Sequence, residues 1–112
     1  MLIVANTFTR PSKSVPFFVM PDDVMAQFMQ NYRYTGKSIS TKAETSPDGL
    51  TAVVTTTWSS RAAFQEFVAD PLSETMRSLR AAHQATHGIL TSADIDYIPS
   101  EGDISPEPPV QG

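Results

Sequence analysis

Thr55-Thr56-Thr57-Trp58-Ser59-Ser60-Arg61-Ala62-Ala63-Phe64-Gln65-Glu66-Phe67 is the stretch whose reading decides the fold. Threonine is crowded at χ1 in a helix and fits a pleated strand, so the run that ends in Trp58 predicts a strand. Ser59-Ser60 can cap a helix by accepting from an orphan backbone N–H, so a helix is expected from Arg61. Ala63, Phe64 and Phe67 then recur at helical spacing and mark its buried face.

Upstream, Ser46-Pro47-Asp48-Gly49 is a strong turn, because proline presets φ at its second position and glycine suits its fourth. It joins Ser38–Thr45, rich in hydroxyl and β-branched residues, to Leu50–Trp58, which predicts a hairpin of strands two and three. Pro21-Asp22-Asp23 opens an earlier helix, with carboxylates at the positive end of its dipole. Val24, Met25, Phe28, Met29 and Tyr32 form that helix's apolar face, and Gly36 stands where a left-handed terminating residue is expected. Leu2–Thr9 reads as strand one. Downstream, Asp70-Pro71 interrupts the helix that began at Arg61. Proline is disfavoured inside a helix but suits a first position after an aspartate cap, so a second helical segment is expected to about His87. Its apolar stripe is Leu72, Met76 and Leu79, continued by Ala82, His83 and Thr86. Gly88 ends it, and Ile89–Ile98 reads as strand four. The order is β-α-β-β-α-β, the ferredoxin-like α+β arrangement with a four-stranded antiparallel sheet, over residues 1–98.

The chain has 112 residues, one domain's worth, and a formal net charge of −4. The segment Pro99–Gly112 has three of the acidic residues, four prolines and two glycines, and is expected to be a disordered tail. Without it the charge is nearly balanced. The basic residues are scattered along the chain with no stripe to follow phosphates, which argues against a nucleic-acid partner. Absence of cysteine excludes a disulfide scaffold and a thiolate zinc site. Met1–Ala5 is apolar but too short for a signal peptide or a membrane span, so no membrane partner is expected and a cytoplasmic location follows by default.

The alternation of residues in the strands bears on partners. In Leu50–Trp58 and in Leu2–Thr9 neither set of alternate residues is charged. A sheet with one face in water should alternate between apolar and polar. This sheet reads as covered on both sides, yet two helical elements can cover only one. The missing layer reads as the sheet of a second copy, so a homodimer is expected.

The order of elements, together with the stretch Thr55–Phe67, resembles the antibiotic biosynthesis monooxygenase-like superfamily, the dimeric α+β barrels. The resemblance covers roughly residues 1–98. It implies a pocket between the sheet and the helices of each subunit. Family members include cofactor-independent oxygenases of aromatic polyketides, heme-degrading enzymes and proteins of no known reaction. The heme-degrading branch uses an Asn on strand one, a Trp in the helix after strand three and an iron-ligating His ten residues later. Here Asn6 matches the Asn, but Phe67 stands at the Trp position and Arg77 at the His position. Arginine does not deprotonate and so cannot ligate iron, which counts against heme degradation and leaves it a minor alternative.

Asn6 is a polar side chain between Val4 and Phe8 on a strand face. It is either a structural hydrogen-bonding group or a donor that holds a substrate oxygen. Trp58 is either a core or interface anchor or an aromatic wall against a planar ligand. His83 continues an apolar stripe, and reads as a packing histidine or as a pocket acid or base. His87 lies one turn later, but no third ligand is evident, so no metal site is expected. Phe18 belongs to the apolar segment Val15–Met20, which is a core cap, a dimer contact or a pocket lid. Phe67 and Tyr32 are further candidates for contact with a small aromatic or apolar ligand. On this reading Asn6 and His83 are the catalytic candidates, and Trp58, Phe18, Phe67 and Tyr32 the binding candidates. Two functions stand side by side: a monooxygenase of planar aromatic or quinol-like substrates that needs no cofactor, and a non-catalytic small-molecule-binding or assembly protein.

Overall fold

The computed structural model describes the backbone of residues 1–97 and the side chains of residues 1–93. The expected tail, Pro99–Gly112, lies outside the described residues. The chain forms β1 (Leu2–Thr9), α1 (Asp22–Phe28) continued by a π-helical turn (Met29–Arg33), β2 (Ser38–Thr45), β3 (Thr51–Trp58), α2 (Arg61–Ala69), α3 (Pro71–His87) and β4 (Leu90–Tyr97). The strands make one antiparallel sheet in the order β2-β3-β1-β4, the ferredoxin-like topology.

Local chemistry sets the boundaries. The Ser60 side chain accepts from the Ala63 N–H and starts α2. The Asp70 side chain accepts from the Leu72 N–H, and Pro71 follows at the first helical position, so α2 stops and α3 begins within two residues. Gly88 ends α3 at φ 69°, a left-handed conformation that glycine adopts without a Cβ penalty. The β2–β3 turn is locked by Asp48, whose carboxylate accepts from the Ser46 hydroxyl and from the Leu50 N–H. These bonds hold the Asp48 carboxyl below the usual carboxylate range.

The first helix departs from simple helical expectation at its end. The Tyr34 N–H donates to the Met29 carbonyl, five residues back, so the last turn is widened. Val24, Phe28 and Tyr32 remain on the buried side.

The core lies between the helices and one sheet face. Leu2, Val4 and Trp58 rise from the sheet to meet Val24, Phe28 and Tyr32, then Ala63, Phe64 and Leu72. Leu2 aligns with Trp58, and Asn6 with Val54. The alternate residues, Ile3, Ala5 and Thr7 beside Val53, Thr55 and Thr57, are directed to the opposite face. That face is uncharged on the two central strands, as expected, but not on the edge strand. A bulge at Ile39 shifts the register of β2, which puts Lys42 and Glu44 opposite Thr55 and Val53. They form an ion pair of 2.9 Å in the open, so the charge-free face does not extend across β2.

Candidate functional site

Concavities on two sides of the described residues bear on function. One, of about 530 Å³, is open to solvent and polar, with Gln30, Asn31, Lys37 and Asp70 around it. The other, of about 600 Å³, lies between the sheet and the helices and is far more apolar and enclosed. Its size is that of a small-molecule site, and its few polar groups among many apolar ones are the usual composition of one.

This cavity is built from all parts of the domain. Its floor is the inner sheet face: Val4, Asn6 and Phe8 of β1, Val54, Thr56 and Trp58 of β3, and Thr41 and Ala93 from the flanking strands. Met20, Met25, Phe28 and Met29 close one side. Phe64, Phe67 and Val68 of α2, with Ser73 and Met76 of α3, close the other. Methionine is unbranched and polarisable, so a wall with four of them can adapt to an irregular ligand.

Trp58 is buried and sits in an aromatic cluster. Its ring lies 6.1 Å from Phe28, 5.9 Å from Tyr32 and 5.6 Å from Phe64, all edge to face, and 5.1 Å from Phe67 at a shallow 30° tilt. These are the spacings at which aromatic quadrupoles attract. Trp58 is therefore both a core anchor and part of the cavity wall, and the two readings of its sequence position are not exclusive.

The structure brings Asn6, Trp58 and Phe67 to one cavity and leaves Phe18, Tyr32 and His83 outside its lining. His83 is placed by the segment between β1 and α1. Its Nε2 lies 2.8 Å from the Pro16 carbonyl; a carbonyl only accepts, so Nε2 carries the proton and donates it there. The Phe18 ring packs against the same imidazole at 5.6 Å, and the His87 ring lies 4.4 Å away. The stripe that begins with Leu72 and Met76 thus leaves the core before His83, and Leu79 is already 36% exposed. Among the described residues no group of three metal-ligating side chains forms around this pair or elsewhere.

Tyr32 is committed differently. Its hydroxyl donates to the Asp70 carboxylate at 2.5 Å. Burial, then the Asp70 bond and charge, push the Tyr32 phenol far above its ordinary range. The Tyr32 hydroxyl and then the Leu72 N–H hold Asp70 below the usual carboxylate range. This pair ties the π-helical turn to the α2–α3 break beside the cavity.

The segment Val15–Met20 is pinned along its length. Arg10 donates to the Val15 and Gly49 carbonyls and its guanidinium lies 4.3 Å over the Phe17 ring. Val19 is exposed, and Met20 alone of the six lines the cavity.

Sequence reasoning named none of the cavity's three arginines, Arg33, Arg77 and Arg80, as a ligand contact. Arg33 donates to the Ser38 and Thr41 hydroxyls. Arg77 donates through Nε to the Ser73 carbonyl, and Arg80 lies 5.5 Å over the Phe8 ring. No imidazole, carboxylate, phenol or amine of the described residues lines the cavity, so these guanidiniums are its ionisable groups. Arg77, at the position where the heme-degrading branch has its ligand, is in the wall and cannot serve iron.

Comparison with solved structures places this arrangement. Over 88% of its length the chain superimposes with a TM-score of 0.59 on SnoaB, a cofactor-independent oxygenase from Streptomyces nogalater, at 13% identity, covering 93% of that chain. It superimposes with a TM-score of 0.55 on an antibiotic biosynthesis monooxygenase, at 17% identity, covering 88% of this chain and 100% of the other. A Deinococcus radiodurans structure assigned to the same monooxygenases gives a TM-score of 0.54 at 9% identity, covering 89% of this chain and 94% of that one. No protein-family model and no curated protein matches the chain in sequence. The shared property is the fold.

Proposed function

We propose that the chain binds a planar, mainly apolar small molecule in the cavity between its sheet and helices, and acts on it as a monooxygenase without a cofactor. The observation that carries this reading is the cavity itself. It is mainly apolar and partly enclosed, with the Trp58–Phe67 aromatic wall and the Asn6 amide on its floor, in a fold that SnoaB also has. An electron-rich aromatic or quinol-like substrate would supply the electrons that reduce dioxygen; one oxygen enters the substrate and the other leaves as water. The protein's part is to exclude water, orient the ring and hydrogen-bond a developing oxyanion through the Asn6 N–H. Oxygen uptake with 1,8-dihydroxyanthrone tests this, with incorporation of labelled dioxygen as the check on chemistry. Turnover above spontaneous oxidation, lowered in Asn6→Ala, is expected. A rate equal to the protein-free rate contradicts it.

A second reading has an observation of its own. His83 and Tyr32 are bonded elsewhere, and no imidazole, carboxylate, phenol or amine of the described residues lines the cavity. A non-catalytic binding protein needs none, and binding without turnover is the outcome that selects it.

We also propose that two copies pair through the outer faces of their sheets, where Ile3, Ala5, Val53 and Thr55 form an uncharged surface that no helix of the described residues covers. Among those residues no helix is long and apolar enough to cross a membrane.

A further inference from the structure

Of the described residues that line the cavity, Met20 alone lies outside a helix, the π-helical turn or a strand. Its place in the wall is set by the segment that precedes it, and that segment has little support from its own backbone. Among the described residues, 11–20 make one backbone–backbone hydrogen bond, from the Val15 N–H to the Ser12 carbonyl, and it is internal to the segment. No residue from Arg10 to Asp23 is buried. A stretch with neither sheet bonds nor buried side chains opens at low cost, and such stretches supply the moving parts of ligand sites.

Side chains hold the segment instead. Arg10 follows β1 directly and ties the root of the segment to the β2–β3 turn, through the Gly49 and Val15 carbonyls. His83 fastens the far part to α3, the helix that also gives Ser73, Met76 and Arg77 to the wall. Its Nε2 donates to the Pro16 carbonyl at 2.8 Å, and its ring packs on Phe18 at 5.6 Å. His87, one turn later, backs the same imidazole at 4.4 Å. Between Phe18 and Met20 stands only Val19, which is 82% exposed. One hydrogen bond and one ring contact therefore decide whether this part of the segment lies against α3.

We infer that His83 is a positioning residue: it latches residues 16–20 against α3, and release of the latch carries Met20 out of the wall and opens a passage for ligand. This rests on the reading of the cavity as a ligand site, and concerns how that site is entered. His83 lies outside the cavity lining, so the latch favours closure equally in the free and the liganded protein. Its loss should quicken entry and exit together and leave affinity unchanged.

Trp58 is the chain's one tryptophan and stands in the cavity wall, so its emission reports on an anthracene bound there. The probe is anthracene-9-carboxylate, followed by stopped-flow mixing and by dilution of the complex. His83→Ala is expected to raise the association and dissociation rates together, each about three- to tenfold, the worth of one neutral hydrogen bond, with Kd held within about twofold. His83→Gln keeps a side-chain N–H for the Pro16 carbonyl and is expected to restore the slow rates. Unchanged rates in His83→Ala, a change confined to one of the two rates, or His83→Gln as fast as His83→Ala overturns the inference while the cavity reading stands. Failure of the probe to bind the unmodified protein ends the cavity reading and the inference with it. If a melting curve shows His83→Ala unfolded, Phe18→Ala decides: it removes the ring contact of the same latch, and rates equal to those of the unmodified protein overturn the inference.

Discussion

At the scale of single residues, Asn6 and the Tyr32–Asp70 pair make opposite predictions. Asn6 lies on the cavity floor with Val4 and Phe8 beside it. As a ligand contact it supplies one neutral hydrogen bond, so Asn6→Ala should weaken anthracene carboxylate binding roughly three- to tenfold. Were its role only structural, stability would instead fall by about 1–3 kcal/mol with affinity unchanged; a melting curve and a titration on the same variant separate the two. Asp70 is a stability residue. Its folded pKa is depressed by Tyr32 and then by the Leu72 N–H, so the stabilisation is present above the unfolded value of about 3.9 and is lost as pH falls through the folded one. Tyr32 is raised, so its contribution is present below about pH 10 and is lost as pH rises beyond that. Tyr32→Phe should flatten the alkaline limb of a urea-stability profile and weaken the acid limb. A wild-type-shaped profile in that variant would contradict the assignment. Asp70→Ala should cost about 1 kcal/mol in addition, through the lost cap of α3.

The elements show where sequence is informative and where it is not. The strand limits, the Ser46–Gly49 turn and the Asp70-Pro71 break were legible because each depends on groups within a few residues of one another. The π-helical turn after α1 was not, since an added residue per turn leaves Val24, Phe28 and Tyr32 in an ordinary helical pattern. Nor was the fate of His83. Helical spacing continues Leu72 and Met76 into His83, but Pro16 is 67 residues away in sequence and its carbonyl takes the imidazole. The three arginines of the cavity looked scattered for the same reason: Arg33 reaches it from the turn after α1, Arg77 and Arg80 from α3. Asn6, Trp58 and Phe67 were readable as candidates because strand alternation and helix periodicity both point them inward. Of these, Trp58 has most to lose energetically. Four rings pack on it, so Trp58→Ala should destabilise by about 3–5 kcal/mol in urea unfolding, and Trp58→Phe by much less. A loss below about 1 kcal/mol for the alanine variant would mean that the aromatic cluster is not part of the core.

At the scale of the whole molecule, the helices of the described residues cover one sheet face, and the central strands of the other are uncharged. Pairing of two such faces would form an obligate interface, which usually buries about 2,000 Å² or more. Sedimentation at micromolar concentration should therefore give a dimer, and Val53→Lys should give a folded monomer, because a cation there would be buried against its own symmetry mate. A monomer in the unmodified protein contradicts the pairing. The fold and the apolar cavity converge on one claim: a planar ligand occupies the space between helices and sheet. A crystal structure grown with anthracene-9-carboxylate tests it most directly. The account predicts the rings against Trp58 and Phe67, with the ligand within hydrogen-bond reach of Asn6. Density for the ligand on the outer sheet face, or a cavity filled by the protein's own methionines and phenylalanines with no ligand in it, would contradict it.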